Sequence, residues 1–243
     1  MLGLPDSIRA CLFDLDGVLT RTATVHFAAW KRTFDGFLRQ HDPKQPEFTQ
    51  GDYNAYVDGK PRQDGVRDFL ASRYITLPEG TPDDPPDATT VSGIATRKNQ
   101  LVLEELDQHG VEVYPGSMRY LRAVKDAGLK TAVVTASANG GQVVRAGGFG
   151  DLIDTRVDGL VTAHEGLRGK PQPDTFLAGA KALGVGPSQA VVFEDALAGV
   201  AAGRAGNFGF VVGVDRVGQA GALKAHGADV VVSDLAELLE DRS

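Results

Sequence analysis

Short apolar runs that stop abruptly at polar side chains set the architecture of this chain. They occupy 10–13, 129–134, 189–193, 208–213 and 229–232 of its 243 residues. Each is long enough for a strand and too short for a buried helix. The runs are almost continuously apolar, which marks strands covered on both faces. Helix-like segments at 118–126, 174–183 and 196–205 separate the later runs. Strands and helices in this alternation predict an α/β fold, a Rossmann-like parallel sheet with helices on both faces. Ligands of such sheets bind outside the carboxyl ends of the strands. Asp14, Asp16, Thr135, Glu194 and Asp195 all fall at those ends.

The stretch 21–105 reads differently. It carries helix-like segments at 24–39, 63–72 and 93–107 but no comparable apolar run. A Pro-, Asp- and Thr-rich loop at 77–90 interrupts it, expected to be exposed and mobile. The simplest organisation is an α/β core of 1–20 and 106–243 with a helical domain, 21–105, inserted after the first strand. The chain returns to the sheet near Tyr114-Pro115-Gly116.

Hydrophobic residues make up 42% of the chain, enough for a substantial core, and the net charge of −7 is spread without a basic block. Nucleic acid and anionic membranes are therefore not expected partners. The single cysteine, Cys11, excludes an internal disulfide and suits a reducing, cytoplasmic location. Its place inside the first strand predicts a buried structural thiol rather than a nucleophile. No apolar stretch approaches a membrane span, and Pro5-Asp6 interrupts any signal-like N-terminus.

The chemistry concentrates in Asp14-Leu15-Asp16-Gly17-Val18-Leu19-Thr20. Strand alternation would turn Leu15 into the core and both aspartates toward one site, and Gly17 permits a sharp turn. Two acids so close need a metal ion, a lysine or a shared proton to offset their repulsion. A calcium loop is excluded, because Val18 and Leu19 stand where oxygen ligands would be needed. Taken alone, two solvated turn aspartates fit as well. Thr135-Ala136-Ser137 ends a strand and is read as starting a helix, where it could hold a phosphate or simply cap. Lys170 precedes a proline-initiated helix; an isolated lysine is ordinarily solvated. Glu194-Asp195 closes a strand, where adjacent acids are costly unless they bind a cation. Hard oxygen donors of this kind favour Mg²⁺.

In this order, acid pair, hydroxyl, lysine and second acid pair resemble the haloacid-dehalogenase-like phosphotransferase superfamily over the whole chain. The insertion after the first motif resembles its branch with a helical cap, and the run from Asp14 to Lys31 resembles the β-phosphoglucomutase family. Thr22, His26 and Trp30 in that run are spaced to share a helical face. Asp58-Gly59-Lys60-Pro61-Arg62 resembles the family's loop for the distal phosphate, and Arg97-Lys98-Asn99 another cap segment whose lysine reaches substrate.

The resemblance implies Asp14 as the nucleophile and the Asp16 side chain as the general acid/base. It implies Mg²⁺ held by Asp14, the Asp16 carbonyl, Glu194 and Asp195. Thr135, Lys170 and the Ala136 amide would cradle the transferring phosphoryl group. Thr22, His26, Trp30, Gly59, Arg62 and Lys98 of the cap, with Ser137 and Asn139 of the core, would bind substrate. The implied reaction interconverts β-glucose 1-phosphate and glucose 6-phosphate through β-glucose 1,6-bisphosphate, in a monomeric enzyme. Its partners would be a sugar phosphate and a sugar bisphosphate.

The chain departs from the family pattern at Arg21, where Asp is common, at Thr135, where Ser is common, and at Ala138, where Lys is common. The neutral Ala138 keeps a sugar-phosphate phosphatase as an alternative. A non-catalytic phospho-ligand sensor would be marked by loss of Asp14, Asp16 or Lys170, all present. A dehalogenase would not need Glu194-Asp195.

Overall fold

The structure, a computed structural model, describes residues 2–240. It divides into two compact units, one of Met1–Arg21 and Val111–Ser243, the other Thr22–Gly110. Among the described residues no helix is long and apolar enough to cross a membrane.

The first unit is built on a parallel sheet of six strands in the order β3-β2-β1-β4-β5-β6. They are β1 Ala10–Phe13, β2 Lys130–Val134, β3 Thr155–Val157, β4 Ala190–Glu194, β5 Phe210–Val214 and β6 Val230–Val232. Strand β1 lies between β2 and β4, with Leu12 opposite Ala132 on one side and Val192 on the other. The sheet order reverses there, and this is where a doubly wound sheet opens a crevice at its carboxyl end.

Both faces of β1 are covered. Ala10 and Leu12 join Val134, Val192, Phe176 and Val200 in one apolar cluster. On the other face Phe13 stacks on Phe193 with centroids 4.5 Å apart, and Tyr120 packs edge-on against both rings. Each such ring removes a large apolar area from water, at about 25 cal/mol per Å². Cys11 is wholly buried in this layer, and burial pushes its thiol far up from the ordinary value, as a structural thiol requires.

The second unit is helical: Thr22–His41, Arg62–Ser72 and Val91–His109 are its long helices. A short turn, Gln50–Asp52, runs into a π-helical segment, Tyr53–Val57. Its core is aromatic, with Phe34 against Trp30, Phe48 and Phe69 at centroid distances of 5.0, 5.1 and 4.1 Å. The 77–90 loop is exposed, as its composition suggests, but it is tied down. Asp84 accepts from the Thr81 and Thr90 hydroxyls, Arg67 forks onto Glu79, and the Val91 amide donates to the Pro78 carbonyl.

Strand β3 and the short helices Gly159–His164 and Ala220–Ala225 are too brief to show a period in the sequence.

Candidate active site

Strand β1 ends at Phe13, but the ladder continues one residue further, since the Asp14 amide donates to the Phe193 carbonyl at 2.9 Å. Leu15 is wholly buried, as alternation predicts. Asp16 lies beyond the strand, in a turn closed by the Gly17 amide on the Thr20 carbonyl and by the Leu19 and Thr20 amides on the Leu15 carbonyl. Its placement is therefore set by the turn rather than by strand alternation. Gly17 has φ +91°, and a Cβ there would run into the Asp195 carboxylate. Only glycine lets the first acid turn lie this close to the second acid pair.

Lys170 is the centre of the cluster. Its side chain is 1% exposed, and its ammonium donates to Asp14 at 2.5 Å, to Glu194 at 2.6 Å and to the Val134 carbonyl at 3.1 Å. The ring of Phe176 lies 4.8 Å from the nitrogen. The sequence pattern alone would put an isolated lysine at the surface; here helix Asp174–Ala182 and the preceding Lys170-Pro171 turn bury it at the carboxyl end of the sheet. Burial works against its charge, but Asp14 and Glu194 outweigh that and raise its pKa. Asp14 is lifted well above the usual carboxylate range, first by burial; Lys170 opposes the lift, and Glu194 and Asp16 add to it.

Asp14, Glu194 and Asp195 each offer a carboxylate oxygen, all within 4.8 Å of one another. Three buried hard donors around excess negative charge fit a small divalent cation. The backing is close as well: a Cβ at Gly199 would collide with the Glu194 carboxylate, whose second oxygen accepts from the Ala196 amide at 2.8 Å.

Thr135 follows β2, and its hydroxyl donates to Asp16 at 3.2 Å. The same oxygen accepts from the Ser137 amide at 3.1 Å, and the Ser137 hydroxyl accepts from the Asn139 amide at 3.2 Å. This corrects the reading of a helix starting at Thr135-Ala136-Ser137. The helix begins at Gly140, and two successive hydroxyl turns form a loop before it. Thr135, Ala136 and Ser137 thus sit on a loop after β2, with Thr135 against Asp16, and Asn139 is the residue that caps the start of the helix.

The remaining expected site residues lie in the second unit. Thr22 opens helix Thr22–His41 and is buried. His26 and Trp30 meet Lys98, whose buried ammonium lies 2.8 Å from His26 Nδ1 and 5.0 Å from the Trp30 ring centre. A protonated Lys98 makes Nδ1 the acceptor and leaves the imidazole proton on Nε2. Gly59 turns the chain with φ +70°, and Arg62 starts the next helix, its pKa lowered by burial and Nη1 3.4 Å from the Ala95 carbonyl.

Further residues that no motif singled out hold the acid turn. Ser117 donates to the Val18 carbonyl at 2.7 Å, and Arg216 Nε donates to the Gly17 carbonyl at 2.8 Å. Gln219 Nε2 donates to the Asp195 carbonyl at 3.0 Å. They are distant in sequence from the acids and carry no local signal.

A haloacid dehalogenase-like hydrolase family model matches residues 8–207. The chain belongs to this family. It is 53% identical to the β-phosphoglucomutase of Mycobacterium tuberculosis strain CDC 1551, over 98% of this chain and 94% of that protein. Hexitol phosphatase A of Escherichia coli is 30% identical over 80% of this chain and 77% of its own length. The crystal structure of β-phosphoglucomutase from Clostridium difficile matches with a TM-score of 0.77 at 27% identity, over 95% of this chain and 93% of that one. The mycobacterial and clostridial proteins place it in the β-phosphoglucomutase branch of the haloacid dehalogenase-like family. Members of that branch are phosphoryl-transfer enzymes, and so is this chain.

Proposed function

We propose that the protein is a β-phosphoglucomutase, interconverting β-glucose 1-phosphate and glucose 6-phosphate through β-glucose 1,6-bisphosphate. The observation that carries this reading is Asp14 held by a buried lysine within an acidic cluster, in a chain 53% identical to a mycobacterial enzyme of that name. A carboxylate at Asp14 attacks phosphorus; the O–P bond to the sugar breaks as the bond to Asp14 forms, giving an aspartyl phosphate. The Asp16 carboxyl group gives its proton to the departing sugar oxygen and takes one from the hydroxyl that attacks in the reverse transfer. Lys170 keeps positive charge beside the Asp14 carboxylate, and Thr135 orients Asp16. Asp14, Glu194 and Asp195, with the Asp16 carbonyl, would hold Mg²⁺, which supplies charge to offset repulsion between carboxylate and phosphoryl oxygens.

The unit Thr22–Gly110 is the inserted cap in this reading. Arg62 binds the phosphate that is not reacting, and Lys98, with His26, Trp30, Thr22 and Gly59, recognises the sugar phosphate. Arginine suits the distal phosphate because its fork matches two phosphate oxygens.

Ala138 favours a second reading, a sugar-phosphate phosphatase, because it leaves the Ser137 loop without a cation that family members often place there. Product identity decides between the two. The protein is incubated with β-glucose 1-phosphate, Mg²⁺ and a trace of β-glucose 1,6-bisphosphate, and glucose 6-phosphate and free phosphate are assayed together. Glucose 6-phosphate with little free phosphate is the expected result. Free phosphate and glucose would transfer the assignment to a phosphatase, and neither product would overturn the glucose assignment.

A further inference from the structure

We propose that Arg216 is a positioning residue for the first acid turn, fixing the Gly17–Val18 peptide, one residue beyond Asp16, and with it the aim of the Asp16 carboxylate. The proposal rests on the reading of Asp16 as the proton donor. Arg216 stands in the loop after β5, far from both acid motifs in sequence, and its side chain is 15% exposed. Its guanidinium is fixed from three sides. Nε donates to the Gly17 carbonyl at 2.8 Å, Nη1 donates to the Ser233 carbonyl at 2.6 Å, and the guanidinium carbon lies 3.6 Å from the centre of the Tyr114 ring. A planar cation on an aromatic face, with its N–H groups already aimed, loses little freedom in making these bonds.

The loop that presents Arg216 is itself anchored. The Asp215 carboxylate accepts from the amides of Val217, Gly218, Gln219 and Ala220 at 3.2, 2.8, 2.9 and 3.1 Å.

The bond matters because of the residue it holds. Gly17 is the softest joint of the acid turn, since glycine crosses between backbone regions without a Cβ penalty. Its amide is tied within the turn, and Ser117 ties the next carbonyl, at Val18. The Gly17 carbonyl is held from outside the turn by Arg216. If that peptide plane is released, it can rotate and carry Asp16 off line, while Asp14 stays fixed by β4 and Lys170. Proton donation should then suffer far more than attack on phosphorus.

Two phosphoryl donors separate these effects. Loss of a sugar alkoxide needs a proton, whereas acetyl phosphate releases acetate, which needs none near neutral pH. Aspartyl phosphate formation is measured by rapid acid quench with β-glucose 1,6-bisphosphate and with acetyl phosphate, for the wild-type protein, Arg216→Lys and Arg216→Met. The expected result for both variants is a loss of roughly 30-fold with the sugar bisphosphate, a fraction of the 10²–10⁴ that proton transfer supplies, and a change within about 3-fold with acetyl phosphate. Arg216→Lys keeps the charge, so an unaltered lysine variant would reassign the effect to electrostatics and overturn the positioning role. Equal losses with both donors, or none with either, would overturn it too. Tyr114→Leu removes the ring beneath the guanidinium, and it should show the same donor contrast if Arg216→Met does not fold. Wild-type protein phosphorylated by acetyl phosphate alone would refute the sugar assignment separately, and the contrast is then measured with an alkyl phosphate monoester that the protein accepts.

Discussion

Replacing Lys170 by Met tests whether the buried cation holds the acidic cluster together as well as serving it chemically. Methionine fills a similar volume but leaves Asp14, Glu194 and Asp195 without the ammonium that bridges the first two at 2.5 and 2.6 Å. Removing one member of a buried charge group costs about 3–5 kcal/mol, because the survivors stay out of water and uncompensated. Part of that cost is recovered by proton uptake at Asp14, whose pKa burial already raises and from which the opposing lysine would be gone. A net loss of about 3 kcal/mol near pH 7.5 is therefore expected, or roughly a hundredfold rise in the population of open core.

Cys11 provides the assay. It is wholly buried in β1, between β2 and β4, so labelling by a thiol reagent in native buffer reports opening of this sheet. Lys170→Met should label roughly a hundredfold faster than wild type at the same pH. The pH dependence has a definite sign. With its folded pKa raised, Asp14 in the folded variant holds a proton that the unfolded chain has shed above about pH 3.9, so stability falls as pH rises through that window. The gap between variant and wild type should narrow on going from pH 7.5 to 5.5. Labelling rates within about 3-fold of each other at pH 7.5, or a gap that widens in acid, would refute the reasoning.

Gly17→Ala should abolish most activity, because its Cβ meets the Asp195 carboxylate at φ +91°; kcat with a sugar phosphate should fall at least about 100-fold, with a stability loss of about 1–2 kcal/mol on thermal unfolding. Asp215→Ala should cost about 1–2 kcal/mol in urea unfolding at pH 7, since four amides lose their acceptor. Burial alone would raise the Asp215 pKa, but these amide bonds outweigh it and hold it low, so its stabilisation is present above about pH 3.9 and is lost as pH falls through the folded value; wild type and variant should converge in acid. Asp195→Asn should weaken Mg²⁺ binding, read by calorimetry on the resting protein, at least about 10-fold while far-UV circular dichroism stays unchanged.

The sheet was legible in the sequence because β1, β2, β4 and β5 are apolar on both faces and long enough to stand out from their surroundings. Strand β3 was not: Thr155-Arg156-Val157 is short, with Arg156 exposed at the sheet edge. The acids and Lys170 were legible as motif residues, but burial of the lysine was not, because nothing near Lys170 in the chain announces partners at Asp14 and Glu194. The start of the helix after Thr135 was misplaced because hydroxyls followed by a polar residue look alike at a helix cap and in a hydroxyl turn. Arg216, Gln219 and Ser117 escaped for the same reason as the lysine's burial: their partners are backbone carbonyls brought close only by the fold.

The central place of β1 also governs when the sheet can form. This early strand pairs with β2 and β4, and its Asp14 amide needs the Phe193 carbonyl. During synthesis, at about 5–20 residues per second, β1 would leave the ribosome on the order of ten seconds before β4 exists. The helical unit encoded between β1 and β2 can collapse in that interval, whereas β1 remains a short, apolar, unpaired strand. Pairings so distant along the chain make folding slow and leave nascent strands open to capture by chaperones or other chains. A ribosome stalled before β4 therefore carries a chain with Asp14 but without its buried partners, and that is the stage at which aggregation of this protein should be greatest.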